Sequence, residues 1–468
     1  MTTPAPTVRA PRTIALIVAS ALFMQNMDSA VIAVALPAIA ENFDADPLRM
    51  NLALTAYMLA LAMCIPASGW AADRFGAKRV FLAAIGLFTL ASLLCGASMS
   101  LAQLVAARLL QGGAGAMMVP VGRLLLLRAT PKHELLNAMA WLTVPALMGP
   151  VLGPPLGGLI VTFTSWRWIF GLNLPVGLVG AALVWRFIPD EPPAAHAVLD
   201  GPGMALTALS LAGFVAGIET VGRGIVAPWV TWALLGGGAL AAGLYALHMR
   251  RVARPALEFR LARIPTFGLS MAAGTLFRLG VGAMPFLIPM ALQLGLGLSA
   301  AAAGAITFVN GLGSLLMKPA ARPVLRRFGF RRVLGVNALV SALGIAACAV
   351  FSPTTPLWLI YAVLLLGSFL RSLEFTAFNT LAYADIPARS MSQATSLYST
   401  VQQLSLTLGV AIGAGALEFS VRVGGHAHPE PDDFALAFLV VAAASALAAP
   451  LCWFLAKDAG KEVSGHGG

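Results

Sequence analysis

Residues 73–80 read DRFGAKRV, and residues 326–333 read RRFGFRRV. The two stretches share Arg, Phe, Gly, Arg and Val at matching positions, and they lie 253 residues apart. Each stretch falls between two long apolar segments. A basic, glycine-containing turn that recurs in the same setting predicts a chain built from two halves with the same helical plan.

The composition places the chain in a membrane. Of its 468 residues, 59% are hydrophobic and 10% are charged, and the mean hydropathy is +0.85. A soluble domain carries about 25% charged residues, so this chain has too little polar surface to face water. The net charge of +11 lies in short loops between apolar segments, which predicts a lipid bilayer and no nucleic acid as its surroundings.

Fourteen apolar segments approach the ~20 residues that a membrane-spanning helix needs. None alternates with period two, so all are predicted to be helices rather than barrel strands. The predicted spans are 14–37, 48–71, 79–99, 101–127, 137–162, 167–188, 203–221, 228–248, 266–294, 299–320, 332–351, 356–383, 393–418 and 434–456.

The distribution of Lys and Arg predicts the orientation. With the N-terminus inside, only four of the 30 basic residues lie in outside loops, five lie within spans, and the other 21 lie inside. This bias predicts a multi-pass protein of the cell (inner) membrane with both termini cytoplasmic. The first apolar segment is longer than the ~7–15 residues of a signal-peptide core, so it is interpreted as an uncleaved span.

The repeated turns join spans 2 and 3 and spans 10 and 11, so a six-span half recurs after eight spans. Spans 7 and 8 are therefore predicted to be inserted between two six-helix bundles. The predicted domains are residues 1–190, 191–263 and 264–468. Repeats of this kind build transporters whose site lies between the halves near the bilayer midplane.

Several motifs in order along nearly the whole chain resemble one known family. They are MDSAVIAVALP (27–37), GWAADRFGAKR (69–79), RLLQGGAGA (108–116), GPVLGPPLGG (149–158), SWRWIFGLNLPVG (165–177), LDGPG (199–203) and SMSQATSLYSTVQQLSLTLGVAIG (390–413). The chain resembles the fourteen-helix drug:proton antiporter family of the major facilitator superfamily. The resemblance implies an all-α integral membrane fold, two six-helix bundles plus two inserted helices, and function as a monomer.

Two charges inside predicted spans are candidates for proton coupling. Asp28 lies about 14 Å from the outer end of span 1, and Arg108 about 10 Å from the outer end of span 4, at ~1.5 Å per residue. The similar depth permits an ion pair or a water-bridged relay. In the family, the acid and the arginine at these positions are implicated in proton coupling, because movement of the arginine changes the proton affinity of the acid. A static structural ion pair is the alternative.

Two motifs are predicted to control access. The first is a cytoplasmic gate, in which Asp73 pairs with Arg74, Lys78 or Arg79 and Gly69 and Gly76 permit tight turns and close helix approach. A loop that only obeys the positive-inside rule is the alternative. The second is the antiporter helix, with glycines four residues apart and prolines that bend it, whose alternative is ordinary close packing. Its residues are Gly149, Pro150, Gly153, Pro154 and Gly157.

Further polar residues within spans are candidates for the substrate cavity. Arg371 and Glu374 are three residues apart and share one predicted helix face. Together with Arg278 they are predicted to form one of three things: a structural ion cluster, a second proton site or a substrate site. Arg123 is interpreted as snorkelling to the cytoplasmic interface. The other candidates, each with simple helix–helix contact as its alternative, are Gln25, Asn26, Gln111, Asn310, Asn379 and Gln402.

These features predict a proton-coupled exporter of amphipathic small molecules, driven by the proton gradient without a cofactor. The alternative is a dedicated metabolite, lipid or anion exporter, or a proton symporter, of the same fold. No phosphate-binding glycine loop, metal-ligand cluster or Ser/His/Asp set is found, so the chain is predicted not to be an enzyme. The four cysteines lie in apolar segments without paired spacing and predict no metal site and no disulfide.

Overall fold

The computed structural model describes residues 11–44, 47–190, 198–220, 227–426 and 429–465. Its regular elements within these ranges are helices, which confirms the prediction of an all-α membrane protein. They are α1 (Pro11–Asn42), α2 (Pro47–Cys64), α3 (Ala67–Phe75), α4 (Ala77–Ala97), α5 (Leu101–Ala129), α6 (Leu135–Phe163), α7 (Arg167–Gly171), α8 (Asn173–Phe187), α9 (Gly201–Thr220), α10 (Pro228–His248), α11 (Pro265–Met290), α12 (Ala300–Leu316), α13 (Lys318–Ala346), α14 (Leu357–Leu381), α15 (Met391–Gly424), α16 (Pro431–Ala446), α17 (Ala448–Cys452) and α18 (Lys461–Ser464).

The repeat found in the sequence is visible in the backbone. Gly76 and Gly329, which are 253 residues apart, have φ of 89° and 73°, a conformation that side chains other than glycine rarely adopt. The same offset separates Pro47 and Ala300, where α2 and α12 begin. The packing of α1 against α6 also recurs as the packing of α11 against α15. We call the end of the bundle that carries residues 73–80 and 326–333 the basic end.

The number of spans is less regular than predicted. Within the described ranges, twelve helices are long and apolar enough to cross a membrane. The second predicted span is a pair of helices, Leu52–Cys64 and Ala67–Phe75, bent by 60°. The tenth span was expected to run to residue 320, but α12 ends at Leu316 after 17 residues. The next helix, α13, begins at Lys318 with Pro319 in its first turn, a position that proline favours. The count of fourteen spans stays a prediction.

The helices predicted to be inserted, α9 and α10, form a close pair. A Cβ on Gly213 would lie 2.7 Å from the Cα of Gly238, so the two backbones touch. Asp200 accepts a hydrogen bond from the Gly203 amide at the start of α9 and lies 2.7 Å from Nε2 of His248 at the end of α10. These contacts define a compact helix pair, and the division of the chain at residues 190 and 263 stays a prediction.

The glycines of the predicted antiporter helix pack directly against α1. A Cβ on Gly149 would lie 2.7 Å from the amide nitrogen of Met27, and one on Gly153 would lie 2.7 Å from Cβ of Ala30. A Cβ on Gly157 would lie 3.0 Å from the side chain of Val31. The spacing of four thus keeps α6 in backbone contact with the turns of α1 on either side of Asp28.

This packing predicts a difference between two glycines of the same helix. Gly149→Ala places a methyl group against α1 backbone, and such overpacking costs ~1–3 kcal/mol. Gly158→Ala meets nothing within 4 Å, and alanine favours a helix over glycine by about 1 kcal/mol. We expect the apparent melting temperature of the purified protein to fall for Gly149→Ala and to stay or rise for Gly158→Ala. Equal melting temperatures for the two variants would show that α6 and α1 are not in tight contact.

Candidate functional site: a buried ion pair and a central cavity

Asp28 and Arg108 form an ion pair in the interior of the first half of the chain. Nη1 of Arg108 lies 2.5 Å from Oδ2 of Asp28, and the side chains are 0% and 2% exposed. Arg108 also donates to Oε1 of Gln111 at 2.5 Å and, more weakly, to the Ala53 carbonyl at 3.4 Å. Its guanidinium stacks over the ring of Tyr57, 4.3 Å from the centroid. The arginine is therefore held by α5 and α2 as well as by α1.

The second oxygen of the Asp28 carboxylate is bound by two amides. Gln111 on α5 donates to Oδ1 at 3.0 Å, and Asn173 at the start of α8 donates to it at 2.7 Å. Both amides also donate to Oγ of Ser92 on α4. Gln111 thus belongs to the Asp28 cluster, whereas it was predicted as a cavity residue. We define the Asp28 cluster as Asp28, Ser92, Arg108, Gln111 and Asn173.

Sequence reasoning did not single out Asn173 and Ser92. Asn173 stands within the motif SWRWIFGLNLPVG, where an amide follows an aromatic-rich turn and opens a helix. A buried amide at a helix start is a signal that could have identified it. Ser92 is one of many small polar residues in an apolar span, and its role is evident only from its neighbours.

A central cavity of about 320 Å³ lies between the two halves. Four of the predicted cavity residues line it, namely Gln25 and Asn26 from α1, Asn379 from α14 and Gln402 from α15. Gln25 and Asn26 precede Asp28 by three and two residues, so the cavity begins within one turn of the Asp28 cluster. Apolar side chains from both halves form most of the remaining wall.

The other predicted cavity residues of the second half do not line this cavity. Arg371 donates to Oδ1 of Asn310 on α12 at 2.7 Å, and Glu374 accepts from Asn337 on α13 at 3.3 Å. Arg278 donates to the hydroxyl of Tyr398 on α15. The three charged side chains therefore contact different helices, and the predicted ion cluster is not formed among the described residues.

Arg123 lines the cavity instead of snorkelling to the membrane interface. Arg123 is 6% exposed. Its guanidinium donates to Oη of Tyr383 at 3.2 Å and to Oε1 of Gln402 at 3.4 Å. The snorkelling interpretation was wrong because it counted only the distance along α5 and ignored the facing half. Arg123 thus joins the first half to α15 and to the end of α14.

Two of the predicted gate residues, Gly69 and Asp73, lie at contacts between the halves at the basic end. Oδ2 of Asp73 accepts from Oγ of Ser392 at 2.5 Å, and a Cβ on Gly69 would lie 2.8 Å from the Ser392 carbonyl oxygen. Oγ of Ser396 donates to the carbonyls of Ile65 and Pro66. These contacts hold α3 and the end of α2 against α15 at the basic end.

The ion pairs of this gate differ from the prediction. Asp73 pairs with Arg128 at the end of α5, at 3.3 Å, and Lys78 pairs with Asp190 at 3.7 Å. Arg74 and Arg79 are exposed to the surroundings. The predicted partners were wrong because the end of α5, distant in sequence, brings Arg128 next to Asp73. In the antiporter helix, Pro150 lines the cavity, and the side chain of Pro154 lies outside the described residues.

Comparison with known proteins identifies the family. The model of the Major Facilitator Superfamily matches residues 18–409 and 270–467. The chain is 40% identical over 405 residues to "Putative multidrug resistance protein MdtD" of Salmonella heidelberg (strain SL476), covering 86% of this chain and 85% of that one.

Two solved structures share the fold. The human organic anion transporter MFSD10 is 17% identical with a TM-score of 0.66, covering 95% of this chain and 100% of that chain. The proton:xylose symporter XylE is 16% identical with a TM-score of 0.66, covering 97% of each chain. The chain therefore belongs to the Major Facilitator Superfamily and is a multi-pass membrane transporter rather than an enzyme.

Proposed function

We propose that the protein is a proton-coupled exporter that moves amphipathic small molecules out of the cell by alternating access. Its termini are cytoplasmic in this proposal, so the basic end faces the cytoplasm. The bias of Lys and Arg supports the orientation, and the name of the multidrug resistance relative supports the substrate class. The proton gradient supplies the energy, and no cofactor takes part.

The observation that carries the proposal is the ion pair of Asp28 and Arg108 beside the cavity. An acid within a span costs about 2.5–3.5 kcal/mol on insertion scales, and such residues mark proton relays and substrate pathways. The carboxylate is tied to α5 through Arg108 and Gln111 and to α8 through Asn173. Its charge thus decides how firmly α1 is held against two other helices.

Protonation of Asp28 removes the charge that Arg108 and the two amides bind. Arg108 keeps Gln111 and the Ala53 carbonyl as acceptors, so its own position is maintained while its tie to α1 weakens. Because α1 also forms one wall of the cavity, loss of this tie changes the cavity. This is a physical route by which one proton shifts the balance between two conformations.

A short path connects the cavity with the Asp28 cluster. Gln25 lines the cavity. Both Gln25 and Tyr57 pack against Gly115 of α5, because a Cβ atom on this glycine would lie 3.4 Å from Nε2 of Gln25 and 3.2 Å from Oη of Tyr57. Tyr57 in turn lies under the guanidinium of Arg108. A substrate that binds Gln25 therefore lies close to the ring on which Arg108 rests, which gives substrate binding a route to the ion pair of Asp28 and Arg108.

Export and symport differ in the direction of the substrate relative to the proton. The contacts of Asp73 and Ser396 close the basic end, so this conformation separates the cavity from the cytoplasm in the proposed orientation. An exporter takes up its proton in this conformation and releases it after the basic end opens. A symporter would instead load proton and substrate together from outside.

The role of Asp28 predicts a loss of coupling without a loss of folding. Asp28→Asn keeps the shape of the side chain but cannot carry the proton, so we expect export driven by a pH gradient to fall to background in proteoliposomes. Gel-filtration profile and melting temperature check that the variant is folded. Glu418→Gln, at a partly exposed acid paired with Arg422, is the control and keeps export. Full gradient-driven export by Asp28→Asn would refute proton coupling at this site.

The Asp28 cluster predicts a shift in pH dependence. Asn173→Ala removes a donor to the charged carboxylate, and a hydrogen bond to a charged group contributes about 1.5–3 kcal/mol. The charged carboxylate is then bound less firmly, so we expect the pH dependence of export to differ from that of the wild type. Asn137→Ala is the control, because Asn137 is exposed near the start of α6 and lies outside the Asp28 cluster. An unchanged pH profile in Asn173→Ala would mean that Asn173 does not act on Asp28.

A further inference from the structure

We infer that the central cavity binds amphipathic molecules that carry a negative charge, with a carboxylate or similar oxyanion placed at Arg123. The inference names the substrate class of the proposed export site and so rests on the proposed function for transport. As a statement about binding, it stands on the charges around the cavity alone.

Among the described residues that line the cavity, Arg123 is the single charged one, and none is Asp or Glu. Its hydrogen-bond partners are neutral, namely the hydroxyl of Tyr383 and the amide of Gln402. The ring of Tyr398 lies 5.6 Å from its guanidinium carbon. A guanidinium carries five N–H donors and stays charged at all physiological pH values. Arg123 thus brings a full positive charge and spare donors to the cavity.

Two further basic groups stand directly behind the cavity wall. Arg278 lies 5.8 Å from the ring centroid of Phe375, a lining residue, and donates to Tyr398. Its Nε and Nη1 have no hydrogen-bond partner in the described part of the chain. Lys318 donates to Oγ1 of Thr376, another lining residue, at 2.8 Å. Both guanidiniums, of Arg123 and of Arg278, therefore lie close to the ring of Tyr398 at this wall of the cavity.

None of these three basic groups has a carboxylate within 4.0 Å among the described residues. The contrast with Arg108 is direct, because that arginine forms an ion pair with Asp28. Glu374, the nearby buried acid of α14, turns to Asn337 on α13. Buried charge that is not paired is costly in a low-dielectric interior. An anion in the cavity supplies the missing counter-charge, whereas a cation meets repulsion and no acid.

The remaining wall explains why the anion would be amphipathic. Apolar side chains line much of the cavity, among them Leu22, Leu61, Met139, Leu142 and Leu406. A volume of about 320 Å³ is at the lower end of the ~300–1,000 Å³ typical of small-molecule sites. The cavity therefore fits a compact molecule with an apolar body and one charged end.

A matched pair of dyes tests the inference. Fluorescein is an anion and rhodamine 123 is a cation, and both have the same xanthene core. We expect fluorescence anisotropy with the purified full-length protein to show binding of fluorescein at least about tenfold tighter than binding of rhodamine 123. Arg123→Gln should weaken fluorescein binding by about tenfold or more, the loss of one charge-assisted interaction. Arg186→Gln, at an exposed arginine at the end of α8, is the control and leaves binding unchanged.

Tighter binding of rhodamine 123, binding of neither dye, or fluorescein binding that Arg123→Gln does not weaken would each overturn the inference. Melting temperatures of the variants show whether a loss of binding comes from unfolding, and Arg123→Lys, which keeps the charge, should retain part of the fluorescein affinity. Should Arg123→Gln fail to fold, competition of bound fluorescein by benzoate but not by benzylamine decides the sign of the site in the wild type.

Transport separates this inference from the proposed function. Export of fluorescein from proteoliposomes under a pH gradient supports both. Fluorescein binding without any gradient-dependent movement upholds the anion site and refutes the proposed exporter. Gradient-driven export of rhodamine 123 without binding or export of fluorescein upholds the exporter and refutes the anion site.

Discussion

The pairing of Asp28 with Arg108 inside the membrane is the interaction on which the rest of this structure depends. A lone carboxylate at this depth is costly, and here Arg108, Gln111 and Asn173 bind both of its oxygens. These partners come from α5 and α8, so the first half is organised around one charge on α1. The charge of Asp28 also provides a means of changing that organisation, because protonation removes what the partners bind.

The two halves share a helical plan but differ in how they treat charge. In the first half Asp28 and Arg108 neutralise each other, whereas in the second half Arg278 and Glu374 have neutral partners among the described residues. Arg123 crosses from the first half to contact the second. We therefore propose that the proton binds in the first half and that the charge of the substrate binds at the boundary between the halves, at Arg123 of α5.

Features that depend on spacing along the chain were predictable from the sequence, whereas contacts between residues distant in sequence were not. The repeated turns and the glycine spacing of α6 can be read directly from the order of residues in the chain. The depths of Asp28 and Arg108 follow from their positions along the predicted helices. The direction in which a side chain faces depends on helix rotation and on neighbours distant in sequence. This is why Gln111 was assigned to the cavity, Arg123 to the membrane interface and Asp73 to the wrong basic partners.

Infrared difference spectroscopy of the purified protein between high and low pH tests the central claim most directly, because the carbonyl stretch of a buried carboxylic acid reports protonation without any substrate. The account predicts one such band that appears as the pH falls, is absent in Asp28→Asn and persists in Glu374→Gln. A set of bands that is unchanged in Asp28→Asn would contradict it, since Asp28 would then take up no proton in this range.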